Sequence, residues 1–298
     1  MTTLNDFSND LVAAVERGSA GTLLVDARNR YPASGIAYEA DLVLTADHVI
    51  TRDENLRVAR ADNKSFSATV AGRDPNSDLA LLRLSEKALT PARVAGAAPK
   101  VGQLVLALGR PSREGVQASW GIVTAIGGPA RTGRGGLLEE YIQTETTSYP
   151  GFSGGPLVNT SGEVLGLNTS GLTRGMALTI PSAFAWRIAE ALAKHGSVKR
   201  GYLGVRTQGV DLPESGRTAL GRDQTQGLLV MWLEETGPAE KSGMFVGDII
   251  VAVGGQAVGD PDDLFAALNR DVVGKTIAVE ILRGGKRETL QPTVGERK

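Results

Sequence analysis

The chain has 298 residues, 41% of them hydrophobic and 22% charged, and no cysteine; this is the composition of a folded globular protein and a length for one large domain or two ordinary ones, so intrinsic disorder is excluded. With 32 basic against 33 acidic residues the formal net charge is −1, which leaves no broad basic field to hold nucleic acid. The lack of cysteine removes disulfides, cysteine zinc sites, iron–sulfur clusters and thiol nucleophiles, and two histidines, His48 and His195, are too few for a polyhistidine metal centre; the chemistry that remains is oxygen chemistry, with no metal and no cofactor expected.

The first residues, Met-Thr-Thr-Leu-Asn-Asp-Phe, carry neither the basic nor the apolar region of a secretory signal. The expected compartment is therefore the cytoplasm as the sequence stands, and periplasmic or extracytoplasmic if a signal was removed. From Gly21 to Pro181 strand-length apolar segments follow one another, at 22–25, 42–45, 79–82, 104–107, 122–125, 141–144, 164–167 and 176–179. Gly, Pro, Asp and Asn lie between them, which argues an all-β barrel or sandwich, and the 38 glycines suit a fold with many tight turns. Ser182, after Pro181, is the expected cap of a helix on which Phe184, Ile188 and Leu192 repeat at four-residue spacing. Lys194, His195 and Gly196 end it, and His195 reads as a histidine favoured by the helix dipole, with no chemistry assigned.

A boundary is expected there, giving domains 1–196 and 197–298 joined by a short linker at 197–200. Beyond it the pattern restarts with short strands and a small helix near 238–242. A second helix opens at Asp260, with Pro261 at its first position and Leu264 and Leu268 on one face. The longest apolar runs, such as 227–233, are strand-sized, so no membrane span is expected.

The sharpest local signal is Pro150-Gly151-Phe152-Ser153-Gly154-Gly155-Pro156-Leu157. Glycines flanking a serine let the backbone turn tightly, so that the N–H groups of Gly151 and Ser153 can point at one developing oxyanion. Two further segments join it. Leu44-Thr45-Ala46-Asp47-His48 sets a histidine at a strand end, and Asp74-Pro-Asn-Ser-Asp78-Leu-Ala-Leu-Leu sets an aspartate where a turn enters a buried strand. A carboxylate at such an edge can be buried and still reach an imidazole N–H, which holds a general base in the right tautomer. Each feature alone has an ordinary reading as a glycine turn, a core histidine or a turn cap; their joint occurrence points to catalysis. Asp74 and Asp47 are the alternative carboxylates.

In these segments the chain resembles the HtrA (Deg) family of chymotrypsin-fold serine proteases with C-terminal PDZ domains. Thr45-Ala-Asp-His-Val49 is similar to the family's histidine motif, Asp78-Leu-Ala-Leu-Leu82 to its aspartate motif, and Gly121-Ile-Val-Thr-Ala-Ile126 and Gln143-Thr-Glu145 to the strands before the serine. Gly162-Glu-Val-Leu-Gly-Leu-Asn-Thr169 is similar to the strand after it. The resemblance implies a mainly β chain, a chymotrypsin-like double β-barrel followed by a small α+β PDZ domain. It implies His48 as general base, Asp78 as its orienting partner and Ser153 as nucleophile, with substrate contacts at Thr147, Phe152, Asn168, Thr169 and Ser170. Thr147 is the expected floor of the primary pocket; because it is not an acid, cleavage after small or medium aliphatic residues is expected. One departure is Phe152, where the family usually has Asn; it is expected to bear on the resting shape of the oxyanion hole and the neighbouring leaving-group side.

The glycine-rich segment 127–136 matches neither the spacing nor the context of a phosphate loop and reads as a surface loop, in the place of the family's sensor loop. Gly201-Tyr-Leu-Gly-Val205 resembles a PDZ carboxylate-binding loop, and the segment 237–250 the helix and strand that follow it. Successive N–H groups of Leu203, Gly204 and Val205 can form a nest for a chain-terminal carboxylate. The resulting expectation is an ATP-independent serine endopeptidase acting on unfolded or damaged polypeptides, binding C-terminal peptides, and forming a homotrimer through an N-terminal segment that includes Phe7. A proteolytically latent binding protein and an esterase are the alternatives.

Overall fold

A computed structural model describes residues 3–29, 31–128, 130–131, 137–138, 140–173, 176–198, 201–268 and 272–296. They fall into two units, Met1–Val198 and Lys199–Lys298. The first opens with helix α1 (Leu4–Ser19), nucleated by a capping box in which Thr3 accepts from the Asp6 N–H and Asp6 from the Thr3 N–H. Ala14 and Gly18 are its buried residues, and Arg17 donates to the carbonyls of Ser161 at 2.8 Å and Thr160 at 3.2 Å. This helix is not among the elements expected, although its capping signature stands in the sequence.

Six strands then close a first barrel: β1 (Thr22–Asp26), β2 (Ala33–Ala37), β3 (Leu42–Ala46), β4 (Leu56–Ala59), β5 (Ser65–Asp74) and β6 (Leu79–Leu84), in the order β1-β2-β3-β6-β5-β4. The strands β2 and β3 are buried along their whole length, which is why they lack the polar–apolar alternation of a half-exposed strand. A second barrel follows. After β7 (Leu104–Ser112) and β8 (Gly115–Gly127) comes the short pair β9 (Ala130–Arg131) and β10 (Leu137–Leu138), then β11 (Tyr141–Thr144), β12 (Pro156–Val158), β13 (Val164–Thr173) and β14 (Met176–Pro181). This barrel closes in the order β11-β14-β13-β12-β7-β8. Of the glycine-rich segment 127–136, residues 129 and 132–136 lie outside the described residues, as do residues 199 and 200 of the expected linker.

Helix α2 (Ser182–His195) ends the unit with Phe184, Ala185, Ile188, Ala189 and Leu192 buried in the core that runs through the first barrel. Pro181, not Ser182, occupies the capping position, and Ser182 is the first helical residue; proline's fixed φ suits that entry without a side-chain cap. Gly196 caps the other end in the left-handed region at φ 72°.

Phe152 corrects an expectation. Its side chain is fully buried in the second barrel, among Val105, Ala107, Val123, Ile142, Leu157 and Leu165, with Tyr149 edge-on at 5.4 Å. Gly109 makes the room: a Cβ there would lie 2.4 Å from the ring. The aromatic ring therefore fills core space instead of facing the leaving-group side of a substrate groove.

The second unit carries β15 (Gly201–Tyr202), β16 (Val205–Asp211), α3 (Glu214–Leu220), β17 (Gln226–Leu233), α4 (Pro238–Lys241), β18 (Ile249–Val253), β19 (Gln256–Ala257), α5 (Pro261–Ala267), β20 (Val279–Arg283), β21 (Lys286–Leu290) and β22 (Gly295–Glu296). Its main sheet runs β16-β17-β18-β20-β21, with β19 on β18 and β15 paired to β22. Asp260 caps α5 through a capping box with Asp263, and Pro261 takes the first turn. Leu228, Val230, Ile250, Val279 and Ile281 form the core with Leu203, Met244 and Leu264.

Candidate active site

The strand β3 ends at Ala46, and a single 3₁₀ turn, Asp47–Val49, lifts His48 off it. The turn before β6 brings Asp78 to the same place in a left-handed backbone conformation, φ 56°, held by the Asp47 N–H on the Asp78 carbonyl at 3.0 Å. Asp78 is fully buried, and three donors converge on its carboxylate. The His48 N–H lies 2.9 Å from Oδ1, His48 Nδ1 lies 2.8 Å from Oδ2, and the Thr169 hydroxyl donates to Oδ2 as well. Because the carboxylate only accepts, Nδ1 carries the proton, and Nε2 is left as the basic nitrogen. The alternative carboxylates are otherwise engaged: Asp47 accepts from Arg73 Nε at 2.6 Å, and Asp74 from the Ser77 hydroxyl at 2.5 Å.

Ser153 sits in the glycine turn after Tyr149 and is largely buried. Its Oγ lies 3.1 Å from Ser170 Oγ. Gly151 is at φ 93°, where a Cβ would also lie 2.5 Å from Pro111 Cβ, so this position takes glycine for both conformation and space. The Phe152 N–H bonds the Tyr149 carbonyl at 3.0 Å, Gly155 N–H the Phe152 carbonyl at 2.9 Å, and Gly154 N–H the Asn168 carbonyl at 2.8 Å. Among the described residues the N–H groups of Gly151 and Ser153 donate to no protein acceptor, leaving both available to one oxygen.

Three successive residues of β13 join the parts. Thr169 bonds Asp78, Ser170 meets Ser153, and Gly171 packs so closely against the pair that a Cβ there would lie 2.5 Å from His48 Nδ1 and 2.6 Å from Asp78 Oδ2. The Gly171 N–H in turn holds Thr169 Oγ1 at 3.0 Å. Thr169 and Ser170, expected as substrate contacts, thus have side chains turned to Asp78 and Ser153. Gly171 escaped sequence reasoning, although a glycine inside a strand is a signal of close approach.

A small cavity beside this turn is lined by Thr144, Thr146, Ser148, Phe152, Asn168 and Thr179, with Ala107 and Leu178. Thr147, expected at its floor, is exposed and contributes its carbonyl to the Ser119 hydroxyl at 2.7 Å. Alternate residues of an extended segment face opposite ways, so the even-numbered residues 144, 146 and 148 take the cavity side. Asn168 is buried; Thr179 donates to its Oδ1 at 2.8 Å, and its Nδ2 has no partner among the described residues. His195 lies in the last turn of α2, exposed and outside this cluster. Among the described residues no group of three or more His, Cys, Asp or Glu side chains is placed to hold a metal ion, and no helix is long and apolar enough to cross a membrane.

In the second unit Leu203 is buried and its carbonyl accepts the Ala239 N–H at 2.8 Å, while the Gly204 carbonyl accepts that of Glu234 at 2.8 Å. Among the described residues the N–H groups of Leu203 and Gly204 donate to no protein acceptor. Val205 begins β16, paired with Leu233.

Residues 33–167 match the trypsin-like peptidase domain family and residues 201–294 the PDZ domain family. With the two closed barrels, this defines a double-barrel peptidase of the chymotrypsin type joined to a PDZ domain. A probable periplasmic serine endoprotease, DegP-like, of Pseudomonas putida (strain W619) is 38% identical over 271 residues, covering 88% of this chain and 55% of the relative; the chain thus spans about half the length of the curated relatives it matches. The serine endoprotease from Yersinia pestis superposes with a TM-score of 0.80 at 30% identity, covering 97% of this chain and 98% of that one. The HtrA-type protease AlgW with a decapeptide superposes at 0.79 with 27% identity, covering 97% and 99%. The chain belongs to the HtrA family of serine proteases.

Proposed function

We propose that this chain is a serine endopeptidase in which Ser153 is the nucleophile, His48 the general base and Asp78 the group that orients it. The observation that carries the reading is the run Thr169-Ser170-Gly171, whose members touch Asp78, Ser153 and His48 in turn. In the reaction His48 Nε2 takes the Ser153 hydroxyl proton as Oγ attacks the peptide carbonyl carbon. The oxyanion formed is held by the Gly151 and Ser153 amides, and Asp78 stabilises the imidazolium. His48 then returns the proton to the leaving amine, and water, deprotonated by the same histidine, hydrolyses the acyl-enzyme.

We assign this chemistry to residues 1–196 and the binding of C-terminal peptides, through Leu203, Gly204 and Val205, to residues 197–298. Unfolded or damaged polypeptides are the proposed substrates. The expectation of a cytoplasmic protein finds no support: curated relatives are named periplasmic, and we assign the chain to an extracytoplasmic compartment. A homotrimer is assigned by family resemblance, in keeping with the exposed Leu4, Phe7 and Val12 of α1; sedimentation of the full chain tests it.

Reaction with a fluorophosphonate, mapped by mass spectrometry, tests the assignment. Labelling at Ser153, lost in Ser153→Ala together with peptide hydrolysis, is expected. An unlabelled Ser153 in folded protein points to the latent binding protein, and turnover of esters without peptides to the esterase.

A further inference from the structure

Ser34 lies in β2 of the first barrel with no exposed surface. Its N–H donates to the Ser153 carbonyl at 3.1 Å, and its hydroxyl lies 2.7 Å from the Gly151 carbonyl and 2.7 Å from the Arg110 N–H. Its own carbonyl accepts the Thr45 hydroxyl at 2.7 Å. The carbonyl only accepts and the amide only donates, so the hydroxyl proton is committed to Gly151. The turn is seated directly on this residue: a Cβ on Gly154 would lie 2.1 Å from the Ser34 carbonyl oxygen.

The two residues whose carbonyls Ser34 holds are the two whose amides are left free. The peptide unit after Gly151 is pinned at its carbonyl by Ser34 and at its N–H by Tyr149. That after Ser153 is pinned at its carbonyl by Ser34 and at its N–H by Asn168. Donors aimed at developing charge act because they need no reorganisation as the charge appears, so whatever fixes their tilt contributes to the rate.

We propose that Ser34 is a positioning residue for the oxyanion hole, its N–H and hydroxyl turning the carbonyls of Ser153 and Gly151 inward so that the amides of the same residues converge on the substrate oxygen. The inference rests on the assignment of Ser153 as nucleophile. It predicts that loss of the hydroxyl weakens the transition state and spares the ground state.

The test compares Ser34→Ala with Thr22→Val, which removes another fully buried hydroxyl of the same barrel, bonded to the Gly18 carbonyl at 2.9 Å, and so controls for lost stability. On a fluorogenic peptide, Ser34→Ala lowers kcat by about 10–100-fold and leaves KM within about twofold. The Ki of a peptide aldehyde, whose hemiacetal oxygen occupies the hole, rises by the factor by which kcat/KM falls, while a product peptide binds as before. Thr22→Val keeps its kcat per folded molecule. Ser34→Cys, similar in volume and poor in hydrogen bonding, falls between wild type and Ser34→Ala and replaces it if the alanine variant does not fold. A Ser34 variant whose kcat and aldehyde affinity match those of Thr22→Val overturns the proposal. Fluorophosphonate labelling of the wild type runs alongside. Labelled Ser153 with an unaffected Ser34→Ala removes the positioning role alone, whereas unlabelled Ser153 removes the nucleophile assignment and the positioning role with it.

Discussion

The hydroxyl of Ser153 lies 3.1 Å from that of Ser170, a residue whose chain neighbours contact Asp78 on one side and the His48–Asp78 pair on the other. Ser153 has one hydroxyl proton, and in the proposed mechanism it passes to His48 on attack. Either hydroxyl can donate in this contact; with Ser153 as donor, the contact competes for that proton and holds the nucleophile at rest.

Ser170→Ala is therefore expected to raise the second-order rate of fluorophosphonate labelling. A hydrogen bond of this kind contributes about 0.5–1.5 kcal/mol net, or about 2- to 10-fold in rate. Ser170 is exposed, so the unfolding midpoint stays put. Slower labelling shows that Ser170 assists Ser153 instead of restraining it.

Phe152→Ala is expected to destabilise the first unit by about 3–5 kcal/mol, the usual cost of emptying an aromatic site in a packed core. The cavity opens beside Gly109 and Tyr149, at the residue between Gly151 and Ser153. Guanidinium unfolding of the full chain checks the figure. A loss under about 1 kcal/mol means the ring is not a core residue.

The proposed chemistry is legible where it is local in sequence. His48, Asp78 and Ser153 each sit in a short motif, and the glycines around Ser153 announce the turn. Spacing does not say which side of the chain a residue faces, and so does not separate Phe152, buried in the second barrel and lining the small cavity, from Thr147, which is exposed. Ser34 carries no motif, since its bond to Gly151 joins positions 117 residues apart. Of the strands outside the expected segments, β2 and β12 are short and buried throughout and so carry no periodic signature, and β4 and β5 have polar residues between their apolar ones, which breaks the apolar run by which the others are read, whereas Phe184, Ile188 and Leu192 of α2 repeat at helical spacing.

In the second unit, burial pushes the Glu280 carboxyl up, but the hydrogen bonds and charges of Arg222 and Arg287, each at 2.7–2.8 Å, outweigh it and hold the group below the usual glutamate range. A carboxyl lowered by folding contributes stability that is present above its unfolded value, about 4.3, and lost as pH falls through the folded one. The urea midpoint of β20 and β21, read by exchange mass spectrometry of peptides spanning 279–290 in the full chain, should drop on acidification. Glu280→Gln should lower the midpoint at pH 7 and flatten its acid dependence. An equally steep acid loss in the variant assigns the effect to another carboxyl.

A peptide with a free, apolar C-terminus is expected to bind at Leu203, Gly204 and Val205, and the site bears a charge of the wrong sign for it. Gly204 lies against Glu234: a Cβ on the glycine would meet Glu234 Cβ at 3.1 Å and Oε2 at 3.3 Å. Amidating the peptide removes charge-assisted bonds to the free amides and weakens binding. A Gly204→Trp substitution at φ 76° combines backbone strain with a side chain over the nest and abolishes it. Glu234→Gln acts in the other direction, because it removes a repulsion on the order of 1 kcal/mol, about fivefold in affinity, across a partly exposed loop. Salt screens that repulsion, so the gain must shrink between 50 mM and 500 mM salt. Fluorescence anisotropy with free-acid and amidated peptides reads all four effects. Equal affinity of the two peptides for the wild type removes carboxylate recognition, and unchanged affinity in Gly204→Trp places the peptide elsewhere on the sheet. A Glu234→Gln gain that survives high salt traces to packing and not to charge.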